Sequence, residues 1–186
     1  MTKKYEFTGE TKLVLGVTLK QIVCVTAFAS VSVGDVGGWI ESEKNLNQSG
    51  NAWVSGNARV SGDAKVFGNA WVSGDAEVSG DAKVFGNAWV SGNAKVSGNA
   101  RVSGNARVSG NARVSGDAEV FWISKIGSEN GTLTVCKAKG GLFISRGCFS
   151  GSLEDFEKAV EERHGDSKTG KEYKLIIELI KLRMSE

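Results

Sequence analysis

Between residues 50 and 121, apolar and polar positions follow a strict period of six. Valine occupies every sixth position from Val54 to Val120, and alanine does the same from Ala52 to Ala118. Gly-Asn or Gly-Asp stands immediately before each alanine. β-Branched valine suits an extended strand, whereas glycine followed by asparagine or aspartate suits a corner. The pattern therefore predicts short strands separated by corners, with the valine and alanine side chains pointing into a core.

A second period of 18 residues is superimposed on the first. Trp53, Trp71 and Trp89 are 18 residues apart, and so are Phe67 and Phe85. Three hexads therefore make one turn of a triangular coil, and the 12 hexads make four turns. Parallel stacking would place successive coils about 4.8 Å apart, the usual spacing of paired strands.

The segment before the repeat predicts a β cap. We expect residues 5–7 and 13–15 to form strands around a turn at Thr8-Gly9-Glu10, and residues 19–28 to form a further buried strand. Such a cap would shield the open end of the stack, which otherwise exposes unpaired backbone groups. Residues 1–49 thus form the predicted cap and an irregular first coil, and residues 50–121 form the regular coils.

Residues 122–186 predict a small α+β domain. Turn signals at Asn130-Gly131 and Gly140-Gly141 accompany predicted strands at residues 132–137 and 142–146. Ser152 with Asp155 resembles a capping box that opens a helix running to about residue 164. A second amphipathic helix is expected from about residue 171 to residue 184.

The hexad resembles the repeat of left-handed parallel β-helices, a family that includes trimeric acyltransferases and γ-class carbonic anhydrases. It is more similar still to hexapeptide-repeat proteins of bacteriophages and prophages, which often carry the sequence Gly-Asp-Val-Gly-Gly-Trp-Ile-Glu-Ser-Glu-Lys-Asn-Leu, here residues 34–46. The resemblance implies left-handed coils and a parallel homotrimer. The fold class is thus mainly β: a left-handed parallel β-helix of hexapeptide repeats, three per coil, with an N-terminal β cap and a small C-terminal α+β unit.

Composition and charge bear on the partners of the protein and on the compartment in which it acts. The formal net charge is +2, so no strong field favours nucleic acid as a partner. The three cysteines have no paired spacing, which favours a reducing cytoplasm over a disulfide framework. Charged residues interrupt the N-terminal apolar segment, which argues against a signal peptide, and no apolar run has the roughly 20 residues that span a membrane.

Histidine is nearly absent, and this argues against catalysis by the related enzymes. His164 lies outside the repeat, whereas the resemblance to acyltransferases implies a catalytic histidine beside the coils and γ-class carbonic anhydrases need three histidines on zinc. We therefore expect no enzyme activity, no cofactor and no metal. One interpretation groups Cys148, His164 and Asp166 as nucleophile, base and orienting residue. The stronger interpretation is structural: Cys148 is a small buried residue, and His164 ends a helix, where a cation is favourable.

Outward positions of the repeat carry an aromatic edge. In the predicted triangular coil, one face carries the outward tryptophans. The strands of a neighbouring face are followed by phenylalanines, which lie on the other side of the shared corner. Large aromatic rings at repeated positions would expose several hundred Å² of apolar surface, more than a monomer usually leaves uncovered. We expect other subunits, the C-terminal unit, a binding partner or a planar ligand to cover this oligomer or partner interface, which comprises Trp53, Trp71, Trp89, Phe67, Phe85 and Phe121.

The last coils carry consecutive basic outward residues. Lys95, Arg101, Arg107 and Arg113 are uninterrupted by any acidic residue before Asp117. Two interpretations remain: a solvated surface that maintains solubility, or an anion site for a nucleotide or another phosphate.

Together these patterns predict a non-enzymatic, trimeric binding protein of phage type in the host cytoplasm. It would counter host defence by binding a host protein or by sequestering a small ligand such as a nucleotide, without a membrane or nucleic-acid partner. The alternatives are an acyltransferase-like enzyme with an atypical site and a structural or virion-associated β-helix.

Overall fold

A computed structural model describes residues 3–116, 120–138 and 141–184, and it shows a parallel β-solenoid of about four turns between two capping units. The hexads form two-residue strands, and each pairs in parallel with the strand 18 residues further on. The predicted period of three hexads per coil and the mainly β fold are therefore confirmed. The solenoid strands are β4 (Trp53–Val54), β5 (Arg59–Val60), β6 (Lys65–Val66), β7 (Trp71–Val72), β8 (Glu77–Val78), β9 (Lys83–Val84), β10 (Trp89–Val90), β11 (Lys95–Val96), β12 (Arg101–Val102), β13 (Arg107–Val108) and β14 (Arg113–Val114).

Three sheets form the faces of the solenoid. Face one consists of β4, β7, β10 and β13, face two contains β5, β8, β11 and β14, and face three consists of β6, β9 and β12. Backbone hydrogen bonds join successive coils, as where the Trp71 amide donates to the Ala88 carbonyl at 2.9 Å. This arrangement places equivalent residues of successive coils directly above one another.

The interior and the corners have the chemistry that the hexad predicts. The valines and alanines of β4 to β14 and their corners are buried. At one corner Asn51, Asn69, Asn87 and Asn105 form a ladder in which each Nδ2 donates to the next Oδ1 at 3.0–3.1 Å. Corner glycines have positive φ; at Gly86 (φ 71°) an added Cβ would also approach the Gly104 nitrogen to 2.9 Å. Only glycine fits both demands.

The N-terminal cap joins the sheet of face two. It comprises β1 (Tyr5–Val14), β2 (Val17–Cys24) and β3 (Val36–Ile40), followed by a 3₁₀ helix at Glu43–Asn45. β1 and β2 are antiparallel, and β3 pairs in parallel with β5. The predicted turn at Thr8-Gly9-Glu10 is wrong, because β1 continues through it as an irregularity in register and the chain reverses at Leu15 and Gly16, which both have positive φ.

The cap also encloses Trp53, contrary to its predicted place on the outer aromatic edge. The Trp53 side chain is only 2% exposed, and its ring lies 5.6 Å from the Phe28 ring and 6.5 Å from the Tyr5 ring. Nearby, the Lys4 ammonium donates to the Ala52 carbonyl at 2.8 Å. Trp53 is therefore part of the junction between cap and solenoid.

The C-terminal unit is an antiparallel sheet followed by two helices. Its elements are β15 (Val120–Ile126), β16 (Gly131–Ala138), β17 (Gly141–Arg146), β18 (Phe149–Ser152), α1 (Leu153–His164) and α2 (Lys168–Met184). The turn before Gly131 and the helix capped by Ser152 and Asp155 are confirmed. Gly140, Ala118 and Asp117 lie outside the described residues.

The regular coils end earlier than the sequence indicates. Val120 begins β15, which pairs antiparallel with β16 and not with a solenoid strand. Phe121 consequently packs with the C-terminal core, where the Arg183 guanidinium carbon lies 4.8 Å from its ring centroid. Its predicted place on the solenoid edge is wrong. The predicted domain boundaries are not otherwise tested and stay predictions.

The C-terminal sheet covers the last coils. Trp122 packs against Gly104, and the Arg107 amide donates to the Thr134 hydroxyl at 2.8 Å. The hydroxyls of Ser109 and Ser145 lie 3.1 Å apart. These contacts attach β16 and β17 to the end of face one. Across the described ranges, no helix has the length and apolarity required to cross a membrane.

Candidate functional site

Face one carries an outward column of Trp71, Trp89 and Arg107, in register on β7, β10 and β13. The two indole centroids lie 6.2 Å apart, and the Arg107 guanidinium carbon lies 5.3 Å from the Trp89 ring centroid. Trp71 is half-buried, and its Nε1 donates to the Ser55 hydroxyl at 3.2 Å. Trp89 is 45% exposed. An exposed indole with a guanidinium over it therefore stands where the C-terminal unit meets the solenoid.

The C-terminal unit supplies a second guanidinium to this region. Arg146 ends β17, and its Nη2 donates to the Ile126 carbonyl at 2.9 Å. Its guanidinium carbon lies 6.0 Å from the Tyr173 ring centroid. An added Cβ at Gly131 would come within 2.4 Å of Nη1, so glycine at this turn leaves room for the arginine. The Arg146 Nε is buried and has no hydrogen-bond partner within the described ranges.

These groups border a cleft of about 440 Å³ between face one and the C-terminal sheet. Two guanidinium groups, an indole and several hydroxyls line it, and no carboxylate belongs to the described lining. The cleft is lined by Trp89, Ser91, Arg107, Ser109, Asn130, Gly131, Thr132, Ser145, Arg146 and Gly147. Its volume is within the range of small-molecule sites, and its charge is positive.

This set of groups suits an anion that carries a planar ring. Guanidinium groups bind phosphate and carboxylate through paired hydrogen bonds and also stack on aromatic faces. The Trp89 indole offers apolar surface, and the hydroxyls of Ser91 and Thr132 can donate or accept hydrogen bonds.

The predicted aromatic edge is divided between two faces. Phe67 and Phe85 follow β6 and β9, and their rings stack in parallel at a centroid distance of 5.0 Å. The Arg101 guanidinium carbon lies 5.7 Å from the Phe85 ring centroid. Trp71 and Trp89 stand across the corner on face one. The two ladders border one edge of the prism, but Trp53 and Phe121 do not extend it, because the cap and the C-terminal core enclose them.

The predicted anion-binding residues do not form a single site. Lys95 and Arg113 are neighbours on face two, Arg101 lies on face three, and Arg107 lies on face one. Lys95 forms an ion pair with Glu77 at 3.0 Å. Of these four residues, only Arg107 borders the cleft. Because three hexads make one turn, consecutive outward positions lie on different faces of the solenoid, and the four basic residues are therefore separated in space.

Cys148 is exposed, and its predicted burial is wrong. It and His164 both line a cavity of about 220 Å³, which also includes Arg146. The Asp166 carboxylate forms an ion pair with Lys174 at 3.5 Å and is largely exposed. The structure thus brings Cys148 and His164 to one cavity, while Asp166 engages a lysine on α2. Among the described residues, no cluster of three or more potential metal ligands is present.

Sequence patterns did not single out Arg146 as a site residue. It stands in an ordinary strand and belongs to no repeat, and it reaches the cleft only because β17 packs beside face one. Gly131 belongs to a turn signal in the sequence, but its contact with a guanidinium depends on tertiary structure.

Comparison with known proteins places the likeness in the solenoid. A family model described as the YdcK β-solenoid repeat matches residues 58–74, 94–110 and 106–120. A protein of Escherichia coli (strain K12) named "Uncharacterized acetyltransferase YdcK" is 42% identical over 50 residues, which are 27% of this chain. The chain spans only 14% of the length of that relative. Fold and repeat together identify a hexapeptide-repeat β-helix protein, and the matched family segments include Arg107 but neither Trp89 nor Arg146.

Proposed function

We propose that this protein is a non-enzymatic binding protein that holds a small anionic ligand with a planar ring in the cleft beside face one. The observation that carries the proposal is the convergence of Trp89, Arg107 and Arg146 on a cleft whose described lining contains no carboxylate. A nucleotide is the ligand class that combines a planar ring with phosphate.

The arrangement of the three side chains assigns each a role in binding. Trp89 is the most exposed apolar group of the cleft and contacts the ring of the ligand with the exposed part of its indole. Arg107 already lies over the indole and contributes a charged, planar donor next to that ring. Arg146 is held by the Ile126 carbonyl, so its guanidinium is pre-organised and loses little freedom when an anion binds.

The remaining lining favours binding over turnover. Its described members supply hydroxyl, amide and guanidinium groups, whereas general acid–base catalysis ordinarily uses an imidazole, carboxylate, amine, thiol or phenol. A ligand held by such groups would be retained without chemical change, as sequestration requires.

Calorimetric titration tests the site with nucleoside mono-, di- and triphosphates and cyclic dinucleotides as probes. We expect one class to bind, and we expect Trp89→Ala and Arg107→Gln each to weaken it by about 5- to 100-fold, the usual cost of losing one aromatic or charged contact. Arg113→Gln is the matched control, because Arg113 is an exposed arginine of the same repeat position on face two. Equal binding by all four proteins would refute the site.

We further propose that the protein is a homotrimer of phage type that acts against host defence in the host cytoplasm. The half-buried aromatic groups Trp71 and Phe85 of the solenoid edge support subunit contact, and the resemblance of residues 34–46 to phage proteins supports the origin. A binding protein that removes a nucleotide signal would fit such a role. Deletion of the gene from its source genome, followed by infection assays on defended hosts, tests it; unchanged infection would contradict it.

Acyl transfer is the second candidate, because the YdcK relative is named an acetyltransferase. Its support in this chain is the cavity shared by Cys148 and His164. Transfer of the acetyl group from acetyl-coenzyme A to an added amine or alcohol acceptor, with release of the coenzyme A thiol, by the wild type but not by Cys148→Ser or His164→Ala would favour the enzyme. Binding of a nucleotide without acyl turnover would favour sequestration.

A further inference from the structure

Face three carries a column of three like charges. Lys65 on β6, Lys83 on β9 and Arg101 on β12 are aligned in register on successive coils, so their Cα atoms are separated by about 4.8 Å per coil. All three side chains are exposed. Within the described residues, neither Lys65 nor Lys83 forms an ion pair.

Face two shows how the same repeat position is arranged when charge is balanced. There Arg59, Glu77 and Lys95 occupy the equivalent column on β5, β8 and β11. Glu77 forms ion pairs with Arg59 at 3.5 Å and with Lys95 at 3.0 Å. One acidic residue at the middle coil therefore links two basic ones, whereas face three has Lys83 at the corresponding place.

We expect the like-charge column to reduce the stability of the free protein. Like charges at directly opposed positions of a sheet repel, and opposite charges there attract. A glutamate at position 83 would replace this repulsion with ion pairs of the kind that Glu77 forms on face two. An anionic ligand would offset the same repulsion.

The column borders a groove of about 1130 Å³ that runs along face three. The segment at residues 43–48 forms one end, and the groove extends over three coils. Asp63 and Asp81 line the same groove, and neither forms an ion pair in the described part of the chain. The groove is lined by Glu43, Lys44, Asn47, Gln48, Asp63, Lys65, Val66, Phe67, Asp81, Lys83, Asn99 and Arg101.

We propose that this groove binds a linear acidic oligosaccharide, a chain of sugar rings that carries carboxylate groups and free hydroxyls. The cations of Lys65, Lys83 and Arg101 would bind the carboxylates. The carboxylates of Asp63 and Asp81 would accept hydrogen bonds from hydroxyls. A polyphosphate offers anions but no hydroxyl groups that could donate hydrogen bonds to the two aspartates, so a lining that holds both cations and carboxylates favours the sugar.

The shape of the groove agrees with a chain-like ligand. The cations repeat along the solenoid axis, which suits a polymer with its own regular repeat. Phe67 borders the groove beside the charged groups and provides apolar surface for the C–H face of a sugar ring. This site is separate from the cleft on face one and does not depend on the function proposed for that cleft.

The experiment combines a binding measurement with a stability measurement on the same variants. The probe is an oligogalacturonate of six to ten sugars, with neutral maltohexaose and inorganic polyphosphate as comparison probes. Lys83→Glu is the test variant, Lys83→Gln removes the charge without reversing it, and Lys95→Gln is the matched control on face two.

For Lys83→Glu we expect loss of oligogalacturonate binding by at least about tenfold together with a rise of about 1–3 °C in the melting temperature of the free protein, as expected for new exposed ion pairs in a chain of this size. Lys83→Gln should weaken binding and also raise the melting temperature by a smaller amount. Lys95→Gln should bind as the wild type does. Maltohexaose should not bind.

Three results would overturn the proposal. The first is that the wild type does not bind oligogalacturonate measurably. The second is that Lys95→Gln loses as much binding as Lys83→Glu does. The third is that polyphosphate binds as tightly as oligogalacturonate. A melting temperature that falls in both position-83 variants would show that the column is not strained.

Discussion

Trp53 and Trp89 occupy the same position of the repeat two coils apart, yet Trp53 is 2% exposed and Trp89 is 45% exposed. The difference arises from what covers each ring. Phe28 and Tyr5 of the N-terminal cap pack on Trp53, whereas the cleft borders Trp89. One repeated residue therefore serves stability at one end of the solenoid and is available for ligand binding at the other.

Substitution of the two tryptophans should separate these roles. We expect Trp53→Ala to lower the free energy of unfolding by about 3–5 kcal/mol, the usual cost of removing a large buried ring. Trp89→Ala should change it by less than about 1 kcal/mol, because partly exposed side chains contribute little to stability. Urea unfolding followed by circular dichroism measures both. Equal destabilisation by the two substitutions would contradict the enclosed position of Trp53.

The solenoid was predictable because its information is local and repeated. Valine every sixth residue, and aromatic residues every 18, determine the strand, the corner and the coil without reference to the rest of the chain. The first C-terminal helix was predictable for a similar reason, since Ser152 and Asp155 form a capping box within four residues.

The parts that depend on packing between distant segments were not predictable. Trp53 is indistinguishable from Trp89 in its hexad, and only the position of the cap explains its burial. Val120 completes the valine period, yet it joins β15 because a longer antiparallel partner, β16, is available. Arg146 became a candidate only through the contact of β17 with face one. Consecutive basic residues were grouped along the sequence although the coil sends them to different faces.

Lys4 makes the stability of the cap dependent on pH. Its side chain is buried, and desolvation lowers its pKa from the ordinary 10.5 to about 8. Between these values the unfolded chain holds the proton and the folded chain has released it, so the free energy of unfolding rises as pH increases from about 8 towards 10. Below about pH 8 Lys4 is protonated in both the folded and the unfolded chain, and its contribution to the free energy of unfolding no longer varies with pH.

The measurement is the urea midpoint of the wild type and of Lys4→Met from pH 7 to pH 10. The wild type should gain stability relative to the variant across the upper part of this range. Lys3→Met is the control, because Lys3 is the exposed neighbour on the same strand end. Parallel curves for the wild type and Lys4→Met would contradict the burial of the Lys4 ammonium. The pKa of Tyr5 is raised by burial, so its own contribution is lost only at pH values above the ordinary 10.0.

Cys148 should be the single readily alkylated thiol of the native protein. Cys24 and Cys136 are buried, and burial raises the pKa of the Cys136 thiol to about 12, so its reactive thiolate is scarce. We expect one equivalent of a maleimide to be taken up within minutes, and two further equivalents only after unfolding in urea. Cys148→Ser should show no rapid labelling. Rapid labelling of Cys136 in the folded protein would contradict its burial between β16 and the solenoid core.

The proposed trimer depends on half-buried aromatic side chains of the solenoid edge, Trp71 and Phe85, which do not line the cleft. We expect light scattering to give the mass of three chains for the wild type and of one chain for the double variant Trp71→Ser, Phe85→Ser. Circular dichroism should remain that of a β-solenoid, which distinguishes dissociation from unfolding. An unchanged mass would show that these two side chains do not join the subunits.

Native mass spectrometry of the protein taken directly from cells that make it tests the proposed binding function most directly. We expect the wild type to carry excess mass equal to a nucleotide or dinucleotide per occupied cleft, and Arg107→Gln with Trp89→Ala to lose it. Arg113→Gln should keep the excess mass. A wild-type protein that remains bare under these conditions, and that binds none of the nucleotide probes by calorimetry, would contradict the proposed ligand site.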